Sequence, residues 1–86
     1  MPSATVENYV KKILVLSLET GKEQVGMGEI ARSLKVAPGT ATSMIKTLER
    51  EKLVRYTARK GVTLTARGLR LGMGMLRRHR LVETFL

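Results

Sequence analysis

The sequence predicts a mainly α-helical domain with one small β-hairpin, arranged as a winged helix-turn-helix. Three observations carry that expectation. Two short stretches with helical apolar spacing are separated only by the turn KVAPG (35–39). The segment that follows, LVRYTARKGVTLT (53–65), switches to two-residue alternation around a basic turn. The charge is lopsided: residues 46–86 hold eleven Lys/Arg against three Glu, while residues 1–45 hold five against four.

The elements follow in order. Val6, Tyr9, Val10, Ile13, Leu14 and Leu16 recur at spacings near three and four, the stripe of an amphipathic helix. Ser3 or Thr5 is available to cap its start, and Gly21 to stop it. GKEQVGMG (21–28) reads as a loop with a short strand at Gln24–Val25. A second helix is expected over Met27–Leu34, with Met27, Ile30, Ala31 and Leu34 as its apolar stripe. The third begins at the KVAPG turn and runs to about Glu51; Pro38 suits a first helical turn, where its missing N–H is not needed. In the hairpin, Val54 and Tyr56 face one way and Val62 and Leu64 pair opposite them. Gly61 supplies the positive φ that a tight turn needs. Thr65 caps a last helix from Ala66 onward, in which Leu69, Met73 and Leu76 share an apolar face. Gly68, Gly72 and Gly74 either weaken that helix or admit a close neighbour. Leu81, Val82, Phe85 and Leu86 end the chain in an apolar cluster suited to docking on another chain.

Composition narrows the function. At 86 residues the chain is one domain at most, and 43% hydrophobic content fits a globular one. The absence of cysteine excludes disulfides and thiolate metal sites and agrees with a cytoplasmic location. No apolar run approaches the roughly 20 residues of a membrane span, and MPSATVENYVKK lacks the pattern of a secretory signal. With one histidine, no cysteine and no aspartate, no nucleophile–base–orienter set is visible, and no glycine-rich phosphate loop follows a strand. An enzyme acting on a small-molecule substrate is therefore not expected. A net charge of +9 and a pI near 10.7 point to a polyanion, nucleic acid before an anionic membrane surface. RNA is disfavoured because stacking aromatics are nearly missing: only Tyr9, Tyr56 and Phe85 are present.

The third helix carries the functional expectation. At about 100° per residue, Ala41, Met44, Ile45 and Leu48 gather on one face, which belongs in the core. The opposite face collects Gly39, Ser43, Lys46 and Arg50, flanked by Thr40, Thr42 and Thr47. Its leading end is small and hydroxylated and its far end cationic. That suits a helix entering the major groove of double-stranded DNA. Small residues let the backbone approach base edges, Thr and Ser bond bases or phosphates, and Lys46 and Arg50 meet the duplex backbone. Arg59 and Lys60 at the hairpin tip add a second phosphate contact. The competing reading is a winged-helix protein-interaction module, docked through the apolar chain end.

The segments ENYVKKIL (7–14), EIARSLKVAPGTATSMIKTLEREKLV (29–54), KGVTLTARG (60–68) and RRHRLVETFL (77–86) resemble the metal-dependent repressor family of the diphtheria toxin repressor and the manganese transport regulator. The resemblance implies a dimeric repressor that binds an operator when Fe²⁺ or Mn²⁺ is present. It places residues matching Pro38, Gly39, Thr40 and Ser43 at the base-contacting end of the recognition helix, and those matching Lys46, Arg50 and Lys60 near phosphates. It implies a DNA-binding domain over 1–65, then over 66–86 a linking helix and the start of a truncated dimerisation and metal-binding region. The SH3-like domain of some members is not expected here.

His79 and Glu83, four apart, share a helix face, and imidazole with carboxylate suits Fe²⁺, Mn²⁺ or Zn²⁺. The resemblance makes both metal ligands. It also puts ligand side chains on the first helix, where this sequence has Asn8 and Lys11. Asn8 offers only a carbonyl oxygen, and a protonated lysine cannot ligate. Two alternatives stand: a metal-responsive repressor, or a DNA-binding regulator without metal response.

Overall fold

The computed structural model describes the backbone of residues 4–85 and the side chains of residues 4–77. Helix α1 spans Ala4–Thr20, α2 Met27–Leu34 and α3 Pro38–Arg50; strands β1 (Val54–Thr57) and β2 (Gly61–Leu64) form the wing, and α4 runs over Ala66–Phe85. This is the expected winged helix-turn-helix. The α1 stripe buries Val6, Tyr9, Val10, Ile13 and Leu14. The first four meet Val25, Ile30, Ile45, Leu48, Leu53, Val54 and Val62, so one apolar core joins α1, α2 and α3 to the wing. Burial pushes the Tyr9 phenol pKa up, since the phenolate would lose its water. Two expectations about α1 need adjustment. Thr5 lies inside the helix rather than capping it, and Ser3 falls outside the described residues.

The predicted short strand reduces to one residue. Val25 bridges to Val62, with N–H to carbonyl distances of 2.9 and 2.8 Å in the two directions. β1 and β2 pair antiparallel with Val54 opposite Leu64 and Tyr56 opposite Val62, the expected register. Gly61 has φ 118°, and a Cβ there would stand 2.6 Å from the Val25 carbonyl oxygen, so the hairpin needs glycine twice over.

Thr65 caps α4 as expected, its hydroxyl oxygen accepting from the Gly68 N–H at 3.1 Å. The hydroxyl also donates to the Lys52 carbonyl at 2.7 Å, stitching the start of α4 to the end of α3. The packing face of α4 departs from its apolar pattern. Leu69 and Met73 are 45% and 42% exposed, whereas Gly68, Gly72 and Met75 are buried. A Cβ on Gly68 would collide with the Leu53 carbonyl oxygen, and one on Gly72 would stand 3.0 Å from Leu14 Cδ2. The helix docks through its backbone, so the glycines are close-approach sites. Among the described residues no helix is long and apolar enough to cross a membrane. The side chains of Leu81, Val82, Phe85 and Leu86 lie outside the described residues.

Candidate nucleic-acid interface

Helix α3 is held by its inner face. Ala41, Ile45 and Leu48 are buried, which turns Pro38, Gly39, Thr40, Ser43, Lys46 and Arg50 outward; all six are exposed. Thr42 is half-buried, and its hydroxyl donates to the Pro38 carbonyl at 2.9 Å, leaving its lone pairs free to accept. The helix starts on Ala37 with no side-chain cap, and Pro38 has no N–H to satisfy. The first backbone N–H to bond inside is that of Ala41, to the Ala37 carbonyl at 3.1 Å. The N–H groups of Gly39 and Thr40 are therefore without an intrahelical partner and point along the axis, toward whatever approaches the tip.

A shallow open groove runs along the outer face of α3, lined by Ser43, Lys46, Thr47, Glu49 and Arg50. Of its two cations, Arg50 is poised rather than loose. Arg50 donates from Nη2 to the Thr47 hydroxyl at 3.2 Å, while that hydroxyl donates to the Ser43 carbonyl at 3.2 Å. The chain aligns the guanidinium along the helix, where a planar donor fork matches phosphate oxygens.

Glu49 is the residue sequence reasoning missed. Its Oε2 accepts the Tyr56 N–H at 3.2 Å. Val62 spends its own N–H and carbonyl on Val25, so the facing pair Tyr56–Val62 exchanges no bonds across the hairpin. The Tyr56 N–H therefore points to the open edge of β1, toward α3. Glu49 fills that need and fixes the wing against the helix. The alternation of bonded and non-bonded pairs in an antiparallel ladder is the signal that could have suggested it.

Arg59 and Lys60 sit exposed in the hairpin turn, where the Lys60 N–H donates to the Thr57 carbonyl at 3.1 Å and Arg59 adopts φ 68°. Lys60 lines a separate recess with Lys22, Glu23, Gln24, Gly26 and Glu29. It does not share the groove of Lys46 and Arg50. The wing tip is thus a second point of positive charge, flanked by two carboxylates.

His79 and Glu83 fall on the backbone of α4, but their side chains lie outside the described residues. Among the described residues no three His, Cys, Asp or Glu side chains gather into a set that could hold a metal ion. Asn8 and Lys11 line a small recess with Lys12, Val15 and Leu34. Two lysines there oppose a divalent cation, so the described donor set does not fit one.

Comparison with known proteins agrees with this architecture. Residues 1–62 match the family described as the iron-dependent repressor, N-terminal DNA-binding domain. The HTH-type transcriptional regulators MntR of Geobacillus thermodenitrificans and of Lysinibacillus sphaericus are each 34% identical over 86 residues, spanning 100% of this chain and 60% of theirs. Among solved structures, ScaR with bound Zn²⁺ superposes with a TM-score of 0.76 at 35% identity, covering 99% of this chain and 37% of that one. The manganese regulator SloR gives a TM-score of 0.74 at 34% identity, covering 94% and 37%. The chain therefore spans about 60% of the length of the curated relatives it matches.

Proposed function

This chain belongs to the iron-dependent repressor family, and on that premise we propose that it is the DNA-binding part of a cytoplasmic transcriptional repressor that engages operator duplexes as a homodimer. The observation that supports this reading most directly is the outward half of α3. Its tip is uncapped and exposes small residues, and its far end is cationic. A major groove about 12 Å wide admits one helix with short side chains at its leading end. Pro38, Gly39 and Thr40 bring the backbone close to base edges, and the open N–H groups of Gly39 and Thr40 donate to an anionic oxygen. Ser43 and Thr42 read bases or bond phosphates. Lys46 and Arg50 hold the strand beside the helix, and Arg59 with Lys60 reaches the neighbouring backbone from the wing. Two-fold operators follow from two-fold proteins. No catalytic role and no small-molecule substrate are part of this reading.

Residues 1–65 carry the DNA contacts in this proposal, and 66–86 link them to the dimerising and metal-sensing part. The first turns of α4 pack on α1, which couples that link mechanically to the DNA-binding core. The full-length protein responds to Fe²⁺ or Mn²⁺ in this reading, with His79 and Glu83 among its ligands. A second reading, a regulator without metal response, is favoured by one observation: lysines stand in the α1 recess. The two share every DNA contact and differ only in the effect of metal.

One titration separates them. Fluorescence anisotropy of duplexes selected from a random pool is followed over a salt series, with and without Mn²⁺. Selective binding that weakens steeply with salt supports the repressor. Tightening by Mn²⁺ supports the metal-responsive form, and indifference to Mn²⁺ the other. Equal affinity for every duplex, unchanged in the double variant Thr40→Ala/Ser43→Ala, would remove base readout from the proposal.

A further inference from the structure

A second basic groove lies at the foot of the wing, where α3 ends, β1 begins and α4 starts. Glu49, Lys52, Arg55, Thr65 and Arg67 line it. Glu49 also lines the groove along α3, so the two surfaces adjoin. Lys52, Arg55 and Arg67 are all exposed. The one carboxylate among them is held by one oxygen, which accepts the Tyr56 N–H. Glu49 and the exposed Glu51 keep their negative charge here, but Lys52, Arg55 and Arg67 outnumber them and continue the positive charge of Lys46 and Arg50 around the end of the recognition helix.

The backbone at Lys52 adds a second observation, although Lys35 closes α2 in the same left-handed way. The last turn of α3 closes with the Lys52 N–H on the Glu49 carbonyl at 3.0 Å and the Leu53 N–H on the Leu48 carbonyl at 3.0 Å. That pair of bonds is a Schellman motif, whose left-handed residue is ordinarily glycine. Here a lysine takes that place at φ 63°. Folding alone favours glycine there, because a Cβ is strained in the left-handed region. A lysine at that point keeps a long cationic arm at the mouth of the groove, at the expense of the glycine that the backbone favours.

We propose that this groove is a second track for DNA phosphates, extending the interface past the C-terminal end of α3. It rests on the reading of the chain as a duplex-DNA binder. The guanidiniums of Arg55 and Arg67 match phosphate oxygens in a fork, and Lys52 adds a mobile point charge. These contacts fix register on the duplex and carry no sequence information.

The test compares the chain with Arg55→Gln/Arg67→Gln and with Lys52→Gly, by anisotropy on a selected and an unrelated duplex across a salt series. The double variant is expected to lose affinity by the same factor on both duplexes. Its log–log salt slope should become shallower by roughly 0.9 for each phosphate that is no longer neutralised. Lys52→Gly is expected to raise the thermal unfolding midpoint while weakening DNA binding, two opposite signs that misfolding does not produce. Wild-type affinity and slope in both variants, with Lys46→Gln/Arg50→Gln still weakening binding, would overturn the groove and leave the DNA reading intact. If the unaltered chain binds neither duplex at low salt, the DNA reading itself fails and the groove falls with it.

Discussion

Two stretches of this chain place residues without bulk at key positions, PGTATS (38–43) at the tip of α3 and the glycines of GLRLGMG (68–74) in α4, and they do opposite things. At the tip of α3 the space beside Gly39 is open, with nothing among the described residues within 4 Å of a Cβ built there. In α4 the space beside Gly68 and Gly72 is filled by the chain's own Leu53, Leu64, Leu14 and Val10. One stretch keeps bulk away so that another molecule can approach. The other removes bulk so that the molecule can close on itself. Absence of a side chain is not a function; what occupies the vacated space is.

Substitution by alanine separates the two directly, and the largest effect is expected at Gly68. Its added methyl would run into the Leu53 carbonyl, and backbone cannot swing aside as a side chain can. Gly68→Ala should cost about 2–3 kcal/mol, the upper range for overpacking, read as a lower urea midpoint at unchanged m-value. Gly72→Ala meets Leu14 Cδ2 at 3.0 Å, Val10 Cγ1 at 3.4 Å and Leu14 Cβ at 3.5 Å, and the two tighter contacts are side-chain ends that can yield. About 1 kcal/mol is expected there. A Gly68→Ala variant as stable as the parent would mean that α4 does not dock through its backbone, and the contrast would lose one of its sides.

This is also where the sequence is hardest to read. Apolar periodicity locates α2 over Met27–Leu34 and sets the hairpin register, because in both cases large side chains carry the packing and leave a pattern. The face of α4 is misplaced by the same rule. Leu69 and Met73 mark the most hydrophobic stripe, yet the helix turns them out and buries Gly68, Gly72 and Met75. A glycine contact has no hydrophobic signature, so periodicity follows the wrong residues. In the candidate interface, the outward half of α3 is legible because the missing bulk is itself a pattern. The foot of the wing is not. Its groove unites residues from three elements, and it includes a lysine where turn rules expect glycine. The Glu49 tether depends on which N–H groups of β1 point outward, a property of the ladder rather than of residue type.

The middle effect belongs to the other stretch. Gly39→Ala places a methyl in open solvent on the first turn of α3, so folding should be unharmed or helped by up to about 0.5–1 kcal/mol of helix propensity. On DNA the same methyl stands where the backbone has to approach base edges. An approximately tenfold weaker affinity, about 1.4 kcal/mol, is expected on a selected duplex, with little change in salt slope because no charge is altered. Equal loss on unrelated duplexes would shift Gly39 from base approach to backbone positioning. No loss at all would leave the open tip of α3 without a partner, and the contrast between the two stretches with only its inner half.

The smallest effect serves as the control inside α4. Gly74 sits six residues after Gly68, but among the described residues nothing lies within 4 Å of a Cβ built on it. It is a helical glycine with neither a close neighbour among the described residues nor a positive φ to require it. Gly74→Ala should therefore stabilise the fold by about 0.5–1 kcal/mol, the ordinary difference between the two residues in a helix, visible as a rise in the unfolding midpoint. DNA affinity and salt slope should not move, since the site is on neither groove. With Gly68→Ala strongly destabilising and Gly74→Ala stabilising in the same helix, the difference can only come from what stands opposite each position. If Gly74→Ala instead destabilises, that position packs against something in solution, and the close-packed face of α4 extends a further turn toward the chain's end.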